Sequence, residues 1–208
     1  MCADKVVDAE PLRVSLFVDF SNFSSSLRHE NKNFMTDWRP LGQVFTEEAG
    51  KVIGPDVHVS YQSMHVYGSY DLSSKKDRSF RKWVSDSLSK MPGVFVTLNR
   101  RQKIIPPPKC PSCKSDMRDT REKNVDAAIV TDMIKFAWSD AYDVAVIVSS
   151  DRSFIPVAEF LQFRGIKVIH ASFPPSGGEL SQKCWGNFEV PKLMSVFQRT
   201  KSHSERDA

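Results

Sequence analysis

Two short apolar runs in this chain each deliver an aspartate. Val14 to Phe20 (VSLFVDF) carries Asp19 at its end and is followed by Ser21-Asn22, and Val144 to Val148 (VAVIV) is followed by Ser149-Ser150-Asp151. A side chain just past the carboxyl end of a buried parallel strand reaches the crevice where such sheets bind ligands. A third acid, Asp126, opens a stretch with helical spacing that leads into the second run. Carboxylates crowded into one crevice repel one another unless a cation lies between them, and oxygen-only ligation suits Mg²⁺ or Mn²⁺. Such an ion activates water and stabilises the charge that develops on a phosphodiester. Taken singly, each aspartate reads as a helix cap or turn residue, so the chemistry rests on convergence. Asp132 lies six positions beyond Asp126, which turns it about 120° around a helix axis and makes it a structural or supporting acid.

The elements that must position these acids alternate along the chain. After the first run, Leu27, Trp38, Leu41, Val44 and Phe45 have helical spacing broken by Pro40, which predicts two helices and a turn. Asp56 to Tyr67 alternates as a strand does; Lys75 to Met91 carries Phe80, Trp83, Val84 and Leu88 as one helix face; Val94 to Leu98 is a strand. From Asn99 to Lys123 the rhythm stops, with prolines at 106–108 and a Cys-x-x-Cys at Cys110 and Cys113. Asn124 is placed to cap the helix that contains Asp126. A helix over Phe154 to Phe163 stopped by Gly165, a last strand over Ile166 to Ala171 and a final helix within Leu180 to Phe197 complete the pattern. Strands alternating with helices predict a mainly parallel sheet covered on both faces.

The 208 residues suffice for one domain with its own core, and 40% hydrophobic with 26% charged residues is the balance of a folded globular chain. The expected organisation is an N-terminal extension over 1–12, a domain over 13–198 with a basic insertion near 99–123, and a disordered tail over 199–208. No apolar run is long enough to span a bilayer, and Met1 to Lys5 lacks a signal pattern. The 4 cysteines are too few and too uneven for a disulfide framework. A reduced, cytoplasmic chain without membrane contact is expected. The net charge of +4 permits an anionic partner without requiring one.

The motifs also resemble a known family. Phe17-Val18-Asp19-Phe20-Ser21-Asn22 resembles the opening strand of NYN domains, in which an apolar strand leads to Asp, a spacer and Asn. Lys123-Asn124-Val125-Asp126, with Asp132 following, resembles the family's Lys-x-Val-Asp helix start. Tyr142 through Ser149-Ser150-Asp151-Arg152-Ser153-Phe154 resembles its Ser-Gly-Asp-Ser-Asp-Phe segment, and Gly165-Ile166-Lys167-Val168 its next strand. The matches fall in order over roughly residues 14 to 190. The resemblance implies an α/β, PIN-like three-layer sandwich and a metal-dependent ribonuclease, with Asp19, Asp126 and Asp151 as catalytic and metal-holding residues. One acid departs from the pattern: Ser153 stands where the family has a second Asp, and Ser150 replaces its Gly. Fewer acids weaken a cation site, so a module that binds RNA or a protein with weakened cleavage is the alternative. Asn22 is placed to offer a neutral oxygen, and Ser149 flanks the site.

Other signals are weaker. Between Arg100 and Lys123 the basic residues exceed the acidic ones by five. Arg100, Arg101, Lys103 and Lys123 are therefore candidates for contact with a phosphate chain, or else a solvated charge run. Lys75, Lys76, Arg78, Arg81 and Lys82 read as a wet helix face. Cys110 and Cys113 have the spacing of half a zinc site; without two further ligands they are two thiols in a loop. His29, His58, His65, His170 and His203 read as packed or surface residues, and Trp83, Trp138, Trp185 and Phe188 as core anchors. The sequence leaves open single-stranded or structured RNA against single-stranded DNA, and monomer against homodimer.

Overall fold

A computed structural model describes residues 10–105, 109–115 and 120–199. The prolines at 106–108, Asp116, Arg118 and Asp119 of the insertion, residues 1–9 of the expected extension and 200–208 of the expected tail lie outside the described residues, as does His203.

The chain runs β1 (Leu12–Asp19), α1 (Phe20–Glu30), α2 (Leu41–Ile53), β2 (Val59–Tyr70), α3 (Lys75–Asp86) and β3 (Val94–Arg100). A two-rung antiparallel hairpin follows, β4 (Gln102–Lys103) with β5 (Thr120–Arg121). Then come α4 (Val125–Trp138), β6 (Val144–Val148), α5 (Ile155–Phe163), β7 (Lys167–Ser172), α6 (Gly178–Lys183) and β8 (Gly186–Glu189). Six strands form one parallel sheet in the order β3-β2-β1-β6-β7-β8. This is a PIN-like three-layer α/β sandwich.

Continuous apolar runs make the central strands because both faces are covered. All five residues of β6 are buried. Val14, Leu16 and Val18 of β1 pack with Phe23, Leu41 and Phe45 on one face. Phe17 turns to the other, against Ile129 and Met133 of α4 and Leu161 of α5. The strand order reverses between β1 and β6, so the crevice outside their carboxyl ends is the topological switch point.

Three expectations are corrected. The final helix expected within Leu180 to Phe197 is the short α6, which begins at Gly178 and ends at Lys183, and the edge strand β8 and a 3-10 turn over Val190–Val196 take up the rest. Cys184 turns extended after α6, and Phe188 alone of the short strand buries into the core. Trp138 and Trp185 are not core anchors, being 73% and 46% exposed. Their rings are covered by cations instead, Arg164 at 4.8 Å from the Trp138 centroid and Lys167 at 6.0 Å from that of Trp185, contacts worth about 0.5–1 kcal/mol each at exposed sites. Trp83 and Phe188 do pack on the core. Asn124 makes no side-chain cap; it adopts φ 69°, ψ 5°, a left-handed conformation that Asn tolerates better than other non-glycine residues.

Candidate active site

Asp19 ends β1 and caps α1, accepting the Asn22 N–H at 3.1 Å and the Ser21 hydroxyl at 3.0 Å. Asp151 follows β6 and caps a 3-10 turn over Arg152–Phe154, accepting the Ser153 N–H at 2.8 Å. Both are therefore caps and crevice acids at once, because a cap at the end of a central strand lies at the switch point. Asp126 sits in the first turn of α4, the helix that carries the chain back to β6. All three line one open crevice of about 490 Å³, with Ser21, Asn22, Ser25, Lys123 and Glu122.

Glu122 is the acid that sequence reading missed. It ends the hairpin, and its carboxylate accepts from the Ser69 hydroxyl and lies 3.1 Å from that of Ser21, whose one proton it shares with Asp19. Arg101, expected to meet phosphate, is committed to this wall: its Nε donates to Ser69 Oγ at 2.9 Å and its Nη2 lies 3.7 Å from Glu122. Lys123 lines the crevice, while Arg100 and Lys103 are exposed beyond it. Ser153 is exposed and outside the lining.

The charges are felt between the acids. Burial pushes the Asp19 carboxyl above the ordinary range, opposed by the bonds from Asn22, Ser21 and Ser149 and reinforced by Glu122. Asp126 is raised by partial desolvation and then by the charges of Asp151, Asp19 and Glu122. The all-oxygen donor set suits a hard divalent cation. Among the described residues no three His, Cys, Asp or Glu side chains stand close enough to hold an ion as placed. Asp126 is exposed, so its side chain has room to swing towards Asp19, and the half-buried Asp151 keeps one carboxylate oxygen outside its cap on Ser153. The residues present fit such a cation in chemistry and in access.

Buried polar groups brace the loop that carries Asp151. Ser149 Oγ donates to Asp19 at 3.4 Å and accepts the Asp151 N–H at 3.3 Å. Asn22 Oδ1 accepts the Ser150 N–H at 2.9 Å, so the oxygen expected as a neutral ligand is engaged in holding the loop. His170 of β7, fully buried, bonds the Ser149 carbonyl through Nε2 at 2.9 Å and Ser181 through Nδ1 at 2.7 Å. A carbonyl only accepts, so Nε2 carries the proton and the Ser181 hydroxyl donates to Nδ1. Burial lowers the pKa of His170 to about 4. Asp132 lies outside the crevice lining and accepts the buried Tyr67 hydroxyl at 3.0 Å. His65 stacks between Phe17 and Phe95, as a packed residue.

Gly177 closes this brace. Its φ is +76°, and an added Cβ would meet His170 Cε1 at 2.9 Å and Ser150 Cα at 3.1 Å. Gly177→Ala is expected to destabilise the fold by about 1–3 kcal/mol through left-handed strain and overpacking. A urea midpoint unchanged from wild type would show that the loop yields freely.

The family model of the NYN domain matches residues 13–188. The chain belongs to the NYN domain family, whose fold is nuclease-like. A crystal structure of a protein of unknown function from Vibrio parahaemolyticus RIMD 2210633 is similar at a TM-score of 0.56 and 18% identity, covering 96% of this chain and 100% of that one. This likeness concerns the fold. Comparison with curated proteins finds no match. Among the described residues no helix is long and apolar enough to cross a membrane.

Proposed function

We propose that the chain is a divalent-metal-dependent nuclease, an endoribonuclease that hydrolyses RNA phosphodiester bonds in the crevice of Asp19, Asp126 and Asp151. The observation that carries this reading is the convergence of these acids, with Glu122, on the switch-point crevice of an NYN chain. Mg²⁺ or Mn²⁺ bound there would activate water and neutralise charge on the phosphate. Asp19 is held by its bonds to α1 and Ser149 and Asp151 by its cap on the Ser153 N–H, while the exposed Asp126 has room to adjust. Lys123 on the crevice lining, with the exposed Arg100 and Lys103 beyond it, would meet the phosphate chain. The free thiols of Cys110, Cys113 and Cys184 suit a reducing cytoplasm.

Ser153 favours a second reading, an RNA-binding or interaction module with little cleavage. Glu122 bears on that choice, since it supplies a carboxylate to the same crevice from the hairpin. Glu122→Gln is expected to raise the Mn²⁺ concentration for half-maximal RNA cleavage by about tenfold or more, the loss typical of a group supporting a metal site. Ser153→Asp should lower that concentration by a smaller factor, because its position is outside the lining. Identical Mn²⁺ dependence in wild type and Glu122→Gln would remove Glu122 from the ion's surroundings.

A further inference from the structure

Among the described residues from Arg101 to Asn124, none is buried. The two rungs of the β4–β5 hairpin, Gln102 with Arg121 and Lys103 with Thr120, tie the base of this excursion. A long excursion whose described residues bury nothing lacks a core to organise them, and small coreless units use a metal ion for that purpose. Cys110 and Cys113, both free thiols, lie in the part of the excursion between the two strands. Their turn is already closed: Cys110 N–H donates to Ser115 O at 2.9 Å and Lys114 N–H to Cys110 O at 2.9 Å. Lys114 takes φ 60° to allow it. Cys113 Sγ lies 2.9 Å from Ser115 Oγ and within bonding reach of the Ser115 N–H and the Cys110 thiol. Two neighbouring sulfurs, one of them surrounded by donors, are arranged as thiolate ligands are.

We infer that Cys110 and Cys113 form half of a tetrahedral Zn²⁺ site that the same two cysteines of a second copy complete, so that one ion clasps two hairpins. A closed structural zinc site takes four ligands. Among the described residues no third His, Cys, Asp or Glu gathers with the pair to hold an ion. Cys184 is occupied elsewhere, packed against the core of the α4 and α5 face. An identical hairpin related by a two-fold axis supplies the matching pair without any new chemistry. On binding, each thiol releases its proton to solvent and donates a sulfur lone pair. The ion with four thiolates then carries two negative charges, which the exposed Lys103 and Lys114 of the two hairpins offset.

The test uses the full chain loaded with Zn²⁺ and dialysed against metal-free buffer. It should retain about half an equivalent of zinc per chain and run as a dimer in light scattering, with both lost on adding a strong chelator. Co²⁺ in place of zinc should give the thiolate charge-transfer absorption of a four-sulfur site. Cys113→Ser should lose zinc and dimer together while its thermal midpoint stays that of the zinc-free wild type, since the turn holds no buried residue. A chain that retains no zinc overturns the inference, as does one zinc per monomer. A Cys113→Ser dimer that keeps its zinc overturns it equally.

Discussion

Asp151→Asn is expected to lower RNA cleavage by a factor of about 1,000 or more, with RNA affinity in chelator little changed. A thousandfold corresponds to about 4 kcal/mol of transition-state stabilisation, the scale that loss of a metal's charge at a phosphoryl centre commands. Asp151 is half-buried, lies beside the switch point and raises the pKa of Asp126 by its charge, so it sits within electrostatic reach of the other acids. Asn preserves the cap, since its side-chain oxygen can still accept the Ser153 N–H that Asp151 now holds at 2.8 Å. The fold should therefore survive. Removing one negative charge should also relieve Asp126, and the apo variant should melt no lower than wild type. Single-turnover cleavage with saturating Mn²⁺ checks the rate, and cleavage as fast as wild type would place the activity outside this crevice.

Stability is expected to fall as the pH drops from about 6.5 towards 4. His170 is buried and neutral, and its pKa falls from the ordinary 6.5 to about 4. Burial lowers that of His65 to about 4 as well, with Asp132 opposing. In each case the unfolded chain takes up a proton near pH 6.5 and the folded chain does so only near pH 4. Stability is therefore complete above the higher value and is lost as pH falls between the two. For His170 alone the loss approaches about 3 kcal/mol, at about 1.4 kcal/mol per pKa unit. The raised pKa values of Asp19 and Asp126 work in the opposite sense, since the folded chain protonates them first. Their contribution stabilises the folded state on acidification and offsets part of the slope. Urea unfolding at pH 7, 6 and 5 should show stability falling with pH, and His170→Gln should reduce the slope by about one proton. The same slope in wild type and His170→Gln would mean that His170 is not held neutral by burial. Protonation adds a hydrogen to Nδ1, so it costs the bond accepted there from the Ser181 hydroxyl, while the Nε2 bond to the Ser149 carbonyl is kept.

How much of this was legible in sequence depended on how local each cause is. The apolar runs ending at Asp19 and Asp151 announce buried strands, and a parallel sheet sends such ends to one edge, so those two positions were readable. Asp126 was readable from the helix it starts. Glu122 was hidden in a stretch whose basic excess drew attention, and its place depends on hydroxyls at Ser21 and Ser69, far away in sequence. His170 was one of 5 histidines, and its partners Ser149 and Ser181 lie on other elements. Strand β8, at 4 residues, is too short for alternation to register. Trp138 falls in the last turn of α4, where periodicity continues past the end of the sheet and no longer implies burial. Asn124 shows the same limit: its residue type announces a helix start, but only the approach of the chain from the hairpin sets the left-handed backbone there.

Incubating the pure chain with labelled single-stranded and hairpin RNA, in Mn²⁺, Mg²⁺ or chelator, tests the central claim most directly. The account predicts cleavage of RNA with Mn²⁺ or Mg²⁺, none with chelator and none with Asp151→Asn in any of the three. RNA that is bound with salt-dependent affinity yet stays intact in every condition, for wild type and Ser153→Asp alike, would contradict the nuclease and establish the binding module instead.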